Sequence, residues 1–99
     1  MVHLPQLLPI VLVPGGLYDD PPMTGHQFWV ESGVAAALTH LGVEFTVHER
    51  PSLPRSWSDE AAAIIATMDE VGFDRAGIVA GSNGCSAALR LALEHADRV

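Results

Sequence analysis

A continuous apolar run near the start of the chain constrains the fold more than any other feature. Residues 9–14, PIVLVP, place only apolar, mostly β-branched side chains between two prolines. Because the run offers no polar face, it predicts a short strand that is buried on both faces.

A helix and a second strand are predicted next. A helical spacing of apolar residues begins at Gln27, and Gly42 is the predicted stop after that helix. The predicted buried face of this helix comprises Val30, Val34, Ala37, Leu38 and Leu41. Residues 43–48 then alternate apolar and polar side chains, which predicts a half-buried strand.

The second half of the chain repeats the pattern. Ser56 and Asp59 form a capping signature for a helix that ends at Gly72 and turns Ile65, Met68 and Val71 inward. Residues 76–80 are a short apolar run and predict a third strand. Residues 85–95 predict a helix that is apolar almost all round, so we expect it to be deeply buried.

Regular alternation of strands and helices is typical of an α/β fold. It predicts a three-layer α/β sandwich with a short parallel sheet, joined by right-handed crossovers. A chain of 99 residues has room for one small domain at most. In such folds ligands bind at the carboxyl ends of the strands. The loops at residues 15–25, 49–54 and 81–84 are expected to meet there.

Composition excludes several functional classes. The net charge of −7, with no basic stripe, argues against a nucleic-acid partner. The prolines interrupt the only long apolar stretch, so no membrane span and no signal peptide are predicted. One cysteine cannot form an internal disulfide, and a cytoplasmic location is therefore expected. No metal or cofactor is implied, because no ligand spacing is present. A small-molecule substrate is the expected partner.

The junction after the third strand carries the most distinctive chemistry. Gly81-Ser82-Asn83-Gly84 lies between that strand and the last helix, as a nucleophile elbow would. Such an elbow holds its serine in a strained turn and needs small residues two positions before and after it. Ala80 and Gly84 occupy those positions. The backbone N–H of Asn83, at the helix N-terminus, would stabilise an oxyanion.

These stretches resemble the α/β-hydrolase superfamily, specifically the N-terminal portion of its serine-nucleophile branch. VAGSNGCSAALRLALEHADRV looks like the elbow strand, elbow and following helix, and IVLVPGG looks like the earlier strand with its oxyanion loop. The resemblance implies Ser82 as the nucleophile, with Gly16 and Asn83 as the oxyanion donors. The sequence departs from the family pattern at two positions. Ala80 replaces the first elbow glycine, and Pro14 replaces a usual histidine.

The resemblance implies hydrolysis of a carboxylic ester or related acyl bond through an acyl-serine intermediate. It also implies that residues 1–99 are one partial domain, with the rest of the fold absent. The expected acid and histidine are missing, because Glu94 and His95 lie about 15 Å or more along the helix from Ser82. His26 and His48 are the candidates for a substitute base. We therefore expect the chain alone to be inactive and to self-associate through an exposed sheet edge.

Other interpretations stay open. The serine and glycines at the junction also suit an ordinary cap and tight turn. A Rossmann-like module that binds a nucleotide or another small ligand is the alternative class, although G-x-G-x-x-G is absent and only Glu49 could serve as its acidic residue. P-loop chemistry is excluded, because the sequence contains no lysine. Cys85 is expected to pack as a small hydrophobe, and Asp19-Asp20 to form a solvated turn.

Overall fold

A parallel sheet organises the structure. The computed structural model describes residues 8–16 and 23–99. Within them Ile10–Val13 forms β1, Phe45–Val47 forms β2 and Gly77–Ala80 forms β3. All pairings are parallel and the order is β2–β1–β3. The predicted α/β fold with a short parallel sheet, its first strand central, is confirmed.

β1 is buried on both faces, as its sequence predicts. Val11, Leu12 and Val13 have no exposed surface. Val11 and Val13 belong to the main core cluster, which does not include Leu12. Because successive side chains of a strand point to opposite faces, Leu12 covers the other side of the sheet.

Within the described residues, three α-helices flank the sheet. They are α1 (Val34–His40), α2 (Trp57–Val71) and α3 (Gly84–Glu94). The chain moves from β1 to β2 in one direction and back past β1 to β3 in the other. Right-handed crossovers therefore place α1 and α2 on opposite faces, which gives the predicted three layers.

The main core lies between β1, β3, α2 and α3. It includes Ile64 and Met68 from α2 and Leu91 from α3, which are fully buried. The predicted start of α2 is confirmed, because Ser56 Oγ accepts a hydrogen bond from the Asp59 N–H at 3.0 Å. Within the predicted inward face Met68 is buried and Ile65 packs against the core, whereas Val71 is exposed.

The first helical segment differs from the prediction. His26–Val30 forms a π-helical turn, and α1 begins only after Gly33, which has a φ of +91°. Trp29 and Ala35 are buried and Val34 and Leu38 are partly buried, whereas Val30, Ala37 and Leu41 of the predicted face are exposed. The predicted face is therefore wrong at three of its five positions, and the wide turn and the glycine break separate Val30 from the periodicity of α1. The predicted stop is confirmed by the φ of +74° at Gly42.

α3 is not deeply buried, so that prediction is also wrong. Leu89 is 63% exposed and Leu93 is 69% exposed. Cys85 is exposed as well, rather than packed as a small hydrophobe. Gly84, Ala87 and Leu91 are the buried residues of α3, and they follow the spacing of one helix face. The almost continuous apolar sequence of α3 therefore did not predict how many of its faces are covered by other elements.

Candidate active site

Ser82 adopts the strained backbone that its sequence context predicts. Its φ is +51°, and among the described residues it is the only non-glycine residue with a positive φ. An L-residue in this region costs about 1–2 kcal/mol, so the surrounding structure must hold it there. Ser82 comes two residues after the end of β3 and two before the start of α3, and its residue is exposed. This strained backbone at a strand–helix junction is the conformation that the predicted elbow requires.

The elbow packs closely against the loop that follows β1. A Cβ added to Gly15 would lie 2.7 Å from Ser82 Cβ, and one added to Gly84 would lie 2.5 Å from the Pro14 carbonyl oxygen. A Cβ on Gly81 would overlap the Phe28 ring. The structure thus brings the two predicted loops together, and the small residue two positions after Ser82 is required by contact with backbone atoms.

The two backbone groups expected to bind an oxyanion are not used elsewhere in the described structure. At the start of α3, the N–H groups of Gly84, Cys85 and Ser86 donate to carbonyl oxygens three residues earlier. Within residues 8–16 and 23–99, the N–H groups of Asn83 and Gly16 donate no hydrogen bond. Gly16 has a φ of +77°. Among the described residues, no acceptor therefore competes for either N–H group.

A buried arginine joins the site to α2, and sequence reasoning missed it. Arg50 forms a two-point ion pair with Glu60, with Nε–Oε1 at 2.5 Å and Nη2–Oε2 at 3.0 Å. The side chains are 4% and 3% exposed. Nη1 of Arg50 also donates to the Pro14 carbonyl at 3.2 Å and to Asn83 Oδ1 at 2.6 Å. The Trp57 ring covers the guanidinium, with Cζ 5.9 Å from the ring centroid.

The signal for this network was weak. Arg50 lies in a loop that the sequence places at the functional edge, but Glu60 is 10 residues further on and Asn83 is 33 residues away. An arginine and a glutamate at such separations usually lie in solvent. Only the fold shows that they are buried together.

His48, a candidate substitute base, is buried although the alternating pattern placed it on the polar side of its strand. It is 1% exposed, and its Nδ1 lies 2.7 Å from Thr67 Oγ1 of α2. Burial, with a smaller contribution from the charge of Arg50, lowers the pKa of His48 from 6.5 to about 4. The ring is therefore neutral near pH 7 and is a weak proton acceptor. This environment favours a packing role over a catalytic one.

His48 should make stability fall with acid. Its pKa is lower in the folded protein than in the unfolded chain, so the unfolded chain binds the extra proton between pH 6.5 and 4. We expect full stability above pH 6.5 and a loss of about 2–3 kcal/mol by pH 4, at about 1.4 kcal/mol per pH unit. Urea unfolding of the wild type and of His48→Gln at pH 7 and pH 4.5 measures this. Equal acid losses in the two proteins would contradict the assignment, since the carboxylates are common to both.

His26, the other candidate base, is exposed at the start of the π-helical turn. The carboxylate of Glu49 accepts the backbone N–H groups of Gly25 at 2.7 Å and His26 at 3.2 Å. Glu49 therefore caps this turn. It is also the acidic residue that the Rossmann-like alternative would need for its ligand, and its carboxylate is already engaged by the two N–H groups. Asp19-Asp20 lies outside the described residues.

No complete catalytic triad is present in the described residues. Within residues 8–16 and 23–99, no hydrogen bond joins the Ser82 hydroxyl to a histidine, and no group of three His, Cys, Asp or Glu residues could hold a metal ion. Glu94 ends α3, where its Oε1 accepts from Ser58 Oγ at 2.5 Å. His95 is the C-cap of the same helix.

The crowding at Gly84 gives a direct test of the elbow. Gly84→Ala should lower stability by about 1–3 kcal/mol, because the new methyl group would meet the backbone of Pro14, which cannot rotate away. Gly77→Ala is the matched control, since a Cβ there has no neighbour closer than 3.9 Å. Chemical denaturation measures both variants. Equal midpoints for the two would show that the elbow is not tightly packed.

Comparison with known proteins adds evidence on the fold. No protein-family model matches the chain, and no curated protein matches it. The fold is similar to that of an extracellular α/β-hydrolase from a Paenibacillus species, which is described as sharing structural and functional homology with tobacco salicylic acid binding protein 2. The TM-score is 0.70 at 18% identity, over 92% of this chain and 37% of the other.

This likeness defines the class of fold. The chain has a partial α/β-hydrolase fold, spanning 37% of the length of the solved structure that it matches. At 18% identity the likeness carries no information on the nucleophile or the substrate. Evidence for a nucleophile therefore rests on the geometry around Ser82.

Proposed function

We propose that this chain carries the nucleophile and oxyanion hole of a serine hydrolase that cleaves a carboxylic ester or a related acyl bond. The Ser82 hydroxyl attacks the acyl carbon while a general base takes its proton. The N–H groups of Asn83 and Gly16 stabilise the negative oxygen of the tetrahedral intermediate. The alcohol leaves with a proton, and water then releases the acid from the acyl-serine.

One observation carries this proposal. Ser82 is held at a positive φ at a strand–helix junction, where glycine would adopt the same backbone without strain. A simple cap or turn does not need a strained serine. Strain that is retained at an exposed polar residue favours a functional role.

The base and acid are proposed to belong to parts of the protein outside the described residues. His48 is buried against Thr67, and His26 is exposed on a capped turn. Neither environment resembles that of a histidine oriented by a carboxylate. Residues 1–99 would then be one partial domain, which the 37% coverage of the similar hydrolase supports.

Covalent labelling tests the proposal. The protein, expressed from its complete coding sequence, should react with a fluorophosphonate at Ser82 alone, because the elbow and oxyanion donors activate that hydroxyl. Peptide mass spectrometry locates the label. Ser86 and Cys85 are internal controls, since both are exposed within three to four residues of Ser82. A label on either of them, or none at all, would reject Ser82 as the nucleophile.

A cytoplasmic location is proposed from the single cysteine. No helix in the part of the chain that the structure describes is both long and apolar enough to cross a membrane. The similar hydrolase is described as extracellular. Fractionation of cells that produce the protein distinguishes the two locations.

We further propose that the 99-residue chain self-associates and hydrolyses little. β3 is paired with β1 on one side, and within the described residues its other edge has no strand partner. Such an edge, together with the exposed side chains of Leu89 and Leu93 elsewhere on the surface, favours association. Sedimentation should show oligomers, and p-nitrophenyl acetate turnover should equal that of Ser82→Ala. A stable monomer with Ser82-dependent turnover would contradict both expectations.

A further inference from the structure

The Arg50–Glu60 pair lies where both halves of the proposed oxyanion hole meet. One half is the loop Pro14-Gly15-Gly16, and the other is Asn83 at the start of α3. A single guanidinium nitrogen, Nη1, donates to the Pro14 carbonyl and to Asn83 Oδ1. The Pro14 peptide leads directly into Gly15, which packs against Ser82 Cβ. Arg50 therefore contacts both of the segments that would supply the N–H donors.

We propose that Arg50 is a positioning residue that sets the separation of the two oxyanion donors, Gly16 and Asn83. This inference rests on the proposed function. Glu60 holds the guanidinium by two parallel hydrogen bonds from α2, so Nη1 points in a fixed direction. The loop after β1 and the start of α3 are then both tied to one rigid group, in addition to packing directly against each other.

The chemistry of arginine fits this role better than that of lysine. Its planar fork presents five donors, and three of its nitrogens are used here in four hydrogen bonds. Because a guanidinium has no acceptor, the Asn83 amide must turn its oxygen towards Arg50. This contact fixes the Asn83 side chain at the start of α3. A lysine could keep the charge but could not hold Glu60, the loop and Asn83 together.

Burial makes the arrangement stiff. The two ionised side chains are almost completely removed from solvent, and the Trp57 ring covers the guanidinium. Rotation of either side chain would leave a buried charge without its partner, which is strongly unfavourable. Displacement of a donor by as little as 1 Å can lower a catalytic rate about 100-fold, so stiffness at this place affects the reaction.

The kinetics of phosphonate labelling at Ser82 test the proposal, because the phosphoryl oxygen occupies the oxyanion hole. In the full-length protein, Arg50→Lys should lower the maximal labelling rate about tenfold or more, with reversible binding of the phosphonate changed less than twofold. Asn83→Ala keeps the backbone donor and should lower the rate less. The double variant should be no slower than Arg50→Lys, because the Arg50–Asn83 contact that Asn83→Ala removes is already lost in Arg50→Lys.

Arg98→Lys is the matched control. Arg98 also ties distant segments together, through Asp69 and the Phe73 and Asp74 carbonyls, but at the other end of α2. It should lose stability without a change in the labelling rate. An Arg50→Lys rate within twofold of the wild type, an equal loss in Arg98→Lys, or additive effects with Asn83→Ala would each overturn the proposal.

A second readout separates this proposal from the proposed function. If the wild type is not labelled, the assignment of Ser82 fails. Backbone amide order parameters at Gly16 and Asn83, measured by NMR, then still report on the contact. Lower order parameters at both positions in Arg50→Lys, but not in Arg98→Lys, would support the positioning role, and unchanged values would overturn it.

Discussion

Ser82→Gly is expected to stabilise the protein and at the same time abolish ester hydrolysis. Glycine adopts a φ of +51° without the strain that serine carries there. The relief of about 1–2 kcal/mol is partly offset by the greater freedom of glycine in the unfolded chain, which leaves a gain of about 0.5–1 kcal/mol. Hydrolysis by the full-length protein should fall at least about 10³-fold, because the proposed nucleophile is removed. Urea denaturation and ester turnover measure the two effects.

Ser86→Gly is the matched control for this result. Ser86 is exposed within the first turn of α3, where glycine is less favourable than serine by about 0.5 kcal/mol. This variant should lose stability and keep its activity. If Ser82→Gly also loses stability, the elbow is not strained. If it keeps its turnover, Ser82 is not the nucleophile.

Arg50→Met is expected to cause the largest loss of stability. It leaves the Glu60 carboxylate, which is 3% exposed, without its partner. Breaking a buried ion pair from one side costs about 3–5 kcal/mol, a large part of the stability of a small domain. The double variant Arg50→Met/Glu60→Leu should regain most of the loss, because no unpaired charge remains. Urea unfolding followed by tryptophan fluorescence measures all three proteins.

Arg55→Met shows what an exposed pair contributes. Arg55 and Asp59 form an ion pair at 3.0 Å, but the arginine side chain is 89% exposed. Its removal should change stability by less than about 0.5 kcal/mol. An Arg50→Met loss as small as this would mean that the Arg50–Glu60 pair is solvated rather than buried.

Local signals predicted the elements that depend on local chemistry. The cap at Ser56 and the stops at Gly42 and Gly72 need only the side chain or the backbone freedom of a few neighbouring residues. Prediction failed where the same local pattern fits either a continuous helix or an interrupted one. A helical spacing from Gln27 did not reveal the break at Gly33, since glycine inside a helix is unfavourable but tolerated.

The candidate site divides in the same way. Ser82, Asn83 and Gly84 are candidates from the junction alone, because an elbow is built within one turn of chain. An elbow is expected to be crowded, but the atoms that crowd Gly15 and Gly81 belong to the elbow, its neighbouring loop and the Phe28 ring. Contacts between segments so far apart in sequence leave no local pattern.

The sequence by itself determined the order of strands and helices, the parallel sheet and the serine at its edge. These follow from apolar periodicity, capping residues and glycines, all of which act over a few residues. Only the tertiary structure decided that His48 is buried and neutral, that α3 keeps one apolar face exposed, and that Arg50 binds Glu60 beside the site. The physical reason is that burial and ion pairing depend on which distant segments meet, and hydrophobic and electrostatic interactions between them are set by the packed fold.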